Sequence, residues 1–197
     1  MRKGCYSRGI FNSMRIVAGV DEVGRGSLAG PVVACAVVLP ESYVNPDIRD
    51  SKTLTAKKRA ALDVVIRRES LAVGIGMVCN ALIDAIGITL AVKQAMQVAI
   101  ARLNVSCDSV IIDAVKLNNL PCPSIHPYKA DRDYLCVAAA SIVAKVYRDG
   151  LMDSMALLYP EFGWERNKGY GTEAHLAGIR ALGRSVLHRR TFISKYV

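Results

Sequence analysis

Residues 15–39 read RIVAGVDEVGRGSLAGPVVACAVVL, two apolar runs joined by a glycine-studded bridge. The first run begins at Arg15 and ends on two carboxylates, Asp21 and Glu22, while the second, residues 31–39, is apolar and rich in β-branched side chains. Short apolar runs bounded by turn residues read as strands. Gly24, Gly26 and Gly30 between them imply a tight connection, and hence antiparallel neighbours.

Working outward, residues 50–55 (DSKTLT) read as a loop with Thr55 as the N-cap of a helix over Ala56–Glu69. Leu62, Val65 and Ile66 form its inner face, with Lys57, Lys58, Arg59, Arg67 and Arg68 mostly outward. Residues 71–78 read as a third strand, Asn80 as the cap of a short helix over 81–85, and 89–102 as a longer helix. Residues 109–113 (SVIID) form another apolar strand ending on a carboxylate, and 124–127 a short fifth strand. Strand, helix, strand in that order requires a crossover and some parallel pairing. A helix over 134–158 follows, apolar enough in its first half to be buried against the sheet. Residues 164–197 carry seven Lys/Arg against two acids, with a turn at 168–172 and a helix over 173–182.

The 197 residues, 52% apolar and 22% charged, suit one compact domain with a small appendage, and 26 Lys/Arg against 17 Asp/Glu give a formal charge of +9. That excess favours a polyanionic partner. The longest uncharged run, residues 26–40, contains Pro31 and falls short of the roughly 18–20 apolar residues a membrane span needs. Arg2 and Lys3 are followed by no apolar stretch before Asp21, so a secretion signal is not expected and the cytoplasm is. Six cysteines without a C-x-x-C pair, or a His at zinc-ligand spacing, read as reduced and mostly buried thiols. Residues 1–14 hold three basic side chains and no acid, and read as a flexible basic arm.

Carboxylates that terminate apolar strands stand where an α/β sheet opens its ligand crevice, so acids brought there by different strands can converge. Converging acids need a counter-charge, and a pair of hard divalent cations is the usual device for phosphodiester cleavage. Each acid taken alone also fits a strand-end carboxylate paired with a nearby Arg, and Asp131 a helix N-terminal charge. No G-x-G-x-x-G, phosphate loop or G-x-S-x-G elbow is present, and His126, His175 and His188 lack partners at hydrolase spacing.

The stretch GVDEVGRGSLAGPV (19–32) resembles the opening motif of the type 2 ribonucleases H, and of bacterial ribonuclease HII in particular. The resemblance continues in order through DSKTL (50–54), IID (111–113), KAD (129–131), AAASIVAKVYRD (138–149), KGYGT (168–172) and HRRTF (188–192). It implies a ribonuclease H-like α/β fold: a mixed five-stranded sheet flanked by helices over residues 15–160, with a small C-terminal helical segment, 161–197, clamping the substrate. By that resemblance Asp21, Glu22, Asp113 and Asp131 are the catalytic acids, holding two Mg²⁺ or Mn²⁺ ions, with Asp21, Glu22 and Asp113 as metal ligands. Gly24, Arg25 and Gly26 match a loop whose backbone approaches a ribonucleotide 2′-OH, and Tyr170 a ring that stacks on the following sugar. Lys52, Ser141, Lys145 and Lys168 match phosphate contacts.

The implied substrates are RNA–DNA hybrids and duplex DNA with embedded ribonucleotides, cut to leave 5′-phosphates by a monomer without a recognisable sliding-clamp motif. The chain departs from the common pattern at Ala114-Val115, where many members have Gly-Asn, and at Ala130, often Gly. Read from the residues alone, Lys145 and Arg148 could solvate an open helix face, Ser141 could bond its own helix, and Tyr170 could be an exposed loop aromatic. A non-catalytic basic nucleic-acid-binding domain and a DNA-specific nuclease on the same fold are the two alternatives.

Overall fold

The protein is described from a computed structural model over residues 15–49, 51–194 and 196; the expected basic arm, and Asp50 of the DSKTL block, lie outside these residues. In chain order the elements are β1 (Val17–Val23), β2 (Val32–Val38), α1 (Ala56–Glu69), β3 (Ala72–Val78), α2 (Asn80–Ile86) and α3 (Ile88–Ala101). They continue with β4 (Ser109–Ile112), β5 (Ser124–Ile125), α4 (Ala130–Asp133), α5 (Leu135–Ala156), α6 (Trp164–Asn167), α7 (Glu173–Leu182) and α8 (Arg190–Ile193). The sheet order is β3-β2-β1-β4-β5, antiparallel between β1, β2 and β3 and parallel between β1, β4 and β5. This is the mixed five-stranded arrangement expected.

β2 is an unbroken apolar run because it is buried on both faces. Val33, Cys35 and Val37 point into the cluster shared with α1 and α5, whereas Val32, Ala34, Ala36 and Val38 point into the one shared with α3. A Cβ at Gly19 would overlap the backbone at Cys136 and Val137, so this glycine lets the start of α5 lie directly on β1. Thr55 caps α1 as expected, its Oγ1 accepting from the Lys58 N–H at 3.2 Å.

Several expectations are corrected. Asn80 is not a cap: Cys79 holds that position without a side-chain bond, and the Asn80 amide donates to the carbonyls of Val186 and His188 (2.8 and 3.2 Å), tying the C-terminal segment to α2. The fifth strand is only two residues long because just Val110 and Ile111 find partners on it. Arg59 turns back from solvent to donate to the carbonyls of Ser51 (2.9 Å) and Leu54 (2.5 Å), closing the 3₁₀ turn Ser51–Thr53. Among the described cysteines, all free, Cys35 and Cys136 are buried, Cys107 and Cys122 half-buried and Cys79 exposed, so the thiols are not mostly buried. No described helix is long and apolar enough to cross a membrane.

The C-terminal segment shares a third cluster with Leu28, Ala29, Met152 and Ala156, built on Phe162, Trp164, Leu176, Ile179 and Ile193. Inside it runs a chain of polar bonds. The Ser185 N–H donates to His188 Nδ1 (2.9 Å), which leaves the His188 proton on Nε2, 3.0 Å from His175 Nε2. That same His175 nitrogen accepts from Trp164 Nε1 (3.0 Å), and His175 Nδ1 donates to the Tyr170 carbonyl (3.0 Å). Both imidazoles are therefore held neutral. Burial, then the neighbouring His175, pushes the His188 pKa down to about 4. Because the unfolded histidine binds its proton near pH 6.5 and the folded one does not, stability is lost as pH falls from there toward 4. Between pH 6.5 and 5 the loss from this group is expected to be about 2 kcal/mol. Chemical denaturation across that range checks it: the wild type should lose about 2 kcal/mol more than a His188→Gln variant, the difference that isolates this group from the other shifted side chains.

Candidate active site

The register of the sheet brings the acids together. Val20 of β1 pairs with Ile112 of β4 in parallel, and one residue beyond that pairing stand Asp21 and Asp113. The Asp113 N–H donates to the Val20 carbonyl (3.1 Å), and the next residue, Ala114, donates to the Pro127 carbonyl (3.1 Å) with φ at +53°. This left-handed backbone costs an alanine about 1 kcal/mol. Asp113 Oδ1 accepts from the Ala130 N–H (2.8 Å) at the start of α4, which places Asp131 in that helix's first turn. Asp21, Glu22, Asp113 and Asp131 line one basin of about 490 Å³, with Ser51, Lys52, Lys129, Arg132, Ser141, Lys145 and Tyr170.

Asp21 is 7% exposed. Burial, then the charges of Glu22 and Asp113, raises its pKa well above the usual carboxylate range, against hydrogen bonds from Ser141 and the Glu22 N–H. Glu22 is raised by burial and by Asp113, with Arg25, whose Nη1 lies 3.9 Å away, opposing. Among the described residues no three acidic, histidine or cysteine side chains already close on a single point. Asp21 and Asp113 each give one oxygen to a backbone N–H instead, of Glu22 (2.7 Å) and of Ala130 (2.8 Å). The donor set is nonetheless all carboxylate oxygen and partly desolvated, which fits a hard divalent cation and no soft one.

The phosphate-contact candidates divide. Lys52 stands on the 3₁₀ turn at the rim. Ser141 lies at the floor rather than bonding its own helix: it bonds Asp21, and its Oγ is 2.9 Å from that of Ser51. Lys145 pairs with Asp149 (2.8 Å) while its ammonium stands 5.7 Å from the centroid of the Tyr170 ring. Lys168 is turned away from the basin, its ammonium held by Asp153 and by the Glu165 carbonyl (2.8 Å). Tyr170 is half-buried, fixed by Lys145 and by Arg148, whose Cζ is 5.5 Å from the ring centroid. Gly24 has φ at +87°, and a Cβ there would overlap the Arg148 guanidinium. Arg25 and Gly26 are exposed beside the basin.

Sequence reasoning missed Lys129 and Arg132 on the rim, and the reading it left open for Arg148, a solvated helix face, does not hold because the side chain is wholly buried. The helix phase carried the signal for Arg148: Ala144 and Met152, one turn to either side, are both core residues. Arg189, equally buried, stands in no periodic segment and had none.

The ribonuclease HII family model matches residues 18–195. Ribonuclease HII of Pediococcus pentosaceus is 46% identical over 181 residues, 92% of this chain and 71% of its own. That of Chlamydia caviae is 47% identical over 179 residues, 90% of this chain and 84% of its own. Among solved structures, the ribonuclease H2 of Pyrococcus horikoshii superposes with a TM-score of 0.78 at 26% identity, covering 91% of this chain and 96% of that one. Two others share the fold at lower identity. An Archaeoglobus fulgidus RNase HII, seen in complex with PCNA, has a TM-score of 0.73 at 24% identity and covers 91% of this chain and 94% of that one. Bst-RNase HIII in complex with Mn²⁺ has a TM-score of 0.70 at 21% identity and covers 93% and 69%. Matched over all but its ends, and close to half identical to relatives along nine-tenths of its length, the chain belongs to the ribonuclease HII family of metal-dependent ribonucleases H.

Proposed function

We propose that this ribonuclease cuts the RNA strand of RNA–DNA hybrids and also incises duplex DNA on the 5′ side of a single embedded ribonucleotide. Asp21, Glu22, Asp113 and Asp131 would hold two divalent cations, Mg²⁺ or Mn²⁺. The observation that carries this reading is the juxtaposition across β1 and β4 of a buried Asp21 and a half-buried Asp113, mutually repelling and rimmed by Lys52, Lys129 and Arg132. When bound, the cations supply an activated water and stabilise the leaving 3′-oxygen, so that the product keeps a 5′-phosphate. The carboxylates orient them, and Ser141 fixes one Asp21 oxygen.

The other residues select and seat the substrate. Lys52, Lys129 and Arg132 take backbone phosphates, positioning the duplex without reading its sequence. The Gly24–Gly26 loop lies against the ribonucleotide sugar. Tyr170, braced by Lys145 and Arg148, packs on the next sugar and favours deoxyribose there. Residues 161–197 close over the duplex, and the chain works as a monomer in the cytoplasm.

The test compares three duplexes in Mg²⁺ or Mn²⁺: a uniform hybrid, DNA with one embedded ribonucleotide, and all-DNA. Incision of the first two and not the third supports the proposal, whereas cutting of all three supports a DNA nuclease, and salt-sensitive binding without products a non-catalytic binder. Tyr170→Ala is expected to lower incision of the single-ribonucleotide duplex about 10-fold or more, the cost of losing a stacked ring. An equal loss on the uniform hybrid would contradict the sugar-sensing role.

A further inference from the structure

Arg148 and Arg189 are both 0% exposed, and neither lies within 4.0 Å of a carboxylate among the described residues. Buried cations without a counter-ion are costly, so what they bond is informative. Arg189 donates from Nε to the Gly30 carbonyl (3.0 Å), from Nη1 to the Arg25 carbonyl (3.0 Å) and from Nη2 to the Gly24 carbonyl (2.7 Å). Arg148 donates to the carbonyls of Pro31, Lys168 and Ala29, and to the hydroxyl of Ser27, which in turn donates to the Gly24 carbonyl (2.9 Å). Burial and the Arg148 charge both work against the Arg189 cation, and the three carbonyls it bonds offset part of that penalty.

A trans peptide points its N–H opposite its carbonyl. With the Gly24 and Arg25 carbonyls drawn inward, the N–H groups of Arg25 and Gly26 face outward, and neither donates to an acceptor among the described residues. A carbonyl bonded to a cation also makes its own peptide a stronger donor. Gly26 adds an independent observation. A Cβ there would meet nothing within 4 Å and its φ is not positive, so the fold itself makes no demand for glycine, and the empty space is on the outside.

We propose that Arg189 is a positioning residue for sugar recognition: by holding the Gly24 and Arg25 carbonyls inward it fixes the Arg25 and Gly26 N–H groups as a paired donor for the 2′-oxygen of the ribonucleotide at the cut. The inference rests on the ribonucleotide specificity proposed above and adds the buried residue that enforces it. A lysine keeps the charge but cannot reach three carbonyls from one planar fork.

The test measures binding, in Ca²⁺ so that no incision intervenes, of a duplex with one ribonucleotide and of the same duplex in all-DNA form. Two hydrogen bonds should give the wild type a preference of about 10-fold for the ribonucleotide. In Arg189→Lys that ratio is expected to fall to within about 2-fold while the all-DNA affinity holds, a change that partial unfolding, scaling both equally, cannot mimic. A retained ratio overturns the positioning role. A wild type without any preference overturns the underlying ribonucleotide specificity instead. Should Arg189→Lys not fold, the amide resonances of the wild type decide: Arg25 and Gly26 should shift with the ribonucleotide duplex and not with the all-DNA one, and equal shifts overturn the proposal.

Discussion

Asp21→Asn is expected to abolish incision, by at least about 1,000-fold, while making the metal-free protein more stable. The two effects share one cause. Asp21 is desolvated and faces the charges of Glu22 and Asp113, so its ionised form is unfavourable in the folded chain. Asparagine has nearly the same shape, can still accept one of the bonds from Ser141 or the Glu22 N–H, and carries no charge to desolvate. A gain of about 1 kcal/mol is expected, which for a chain of this size raises Tm by about 2–4 °C. Mg²⁺ or Mn²⁺ should then raise the Tm of the wild type by mass action and leave the variant nearly unmoved. Thermal melts with and without metal, beside a single-turnover incision assay, read both. A structural acid predicts the reverse: lower stability and unaltered incision.

Gly26→Ala is expected to separate folding from function in a second way. Since its Cβ would stand in open space and its backbone is not left-handed, the folded state is not strained, and the unfolded chain loses freedom. Stability should be unchanged or higher by about 0.5 kcal/mol. The methyl group would nevertheless occupy the surface over which the Arg25 and Gly26 N–H groups meet a sugar, so incision at an embedded ribonucleotide should fall about 100-fold or more. The neighbouring Gly24 gives the contrast, because its side chain would strike Arg148 and its φ is +87°, so an alanine there damages the fold as well. A Gly26→Ala protein of normal Tm and normal incision would remove the loop from the substrate interface.

The apolar strand β2, the capped α1 and the acids at the ends of β1 and β4 were legible in the sequence because each follows from a local pattern or from a charge that interrupts it. β5 was overextended, since a strand's length depends on how much of its neighbour is left to pair, which no local pattern records. Asn80 was misread for a related reason: its amide is used by Val186 and His188, more than a hundred residues away. The candidate site shows the same division. The acids and Tyr170 could be given roles from motif residues, whereas Arg148, His188 and Arg189, although they stand in the same motif blocks, could not be given their bonding partners, nor could His175. A polar side chain reads as exposed until the carbonyls it satisfies are known, and these carbonyls belong to loops brought together only by the fold.

The central claim is that the acids at the strand ends direct metal-dependent hydrolysis at a ribonucleotide. The most direct measurement maps the ends produced from a labelled duplex with one embedded ribonucleotide, using excess protein in Mg²⁺ and then in EDTA. The account predicts a single cut on the 5′ side of the ribonucleotide, leaving a 3′-hydroxyl and a 5′-phosphate, and no cut in EDTA. A product ending in a 2′,3′-cyclic phosphate, or cutting that persists in EDTA, would show that the 2′-hydroxyl attacks without metal and would contradict it.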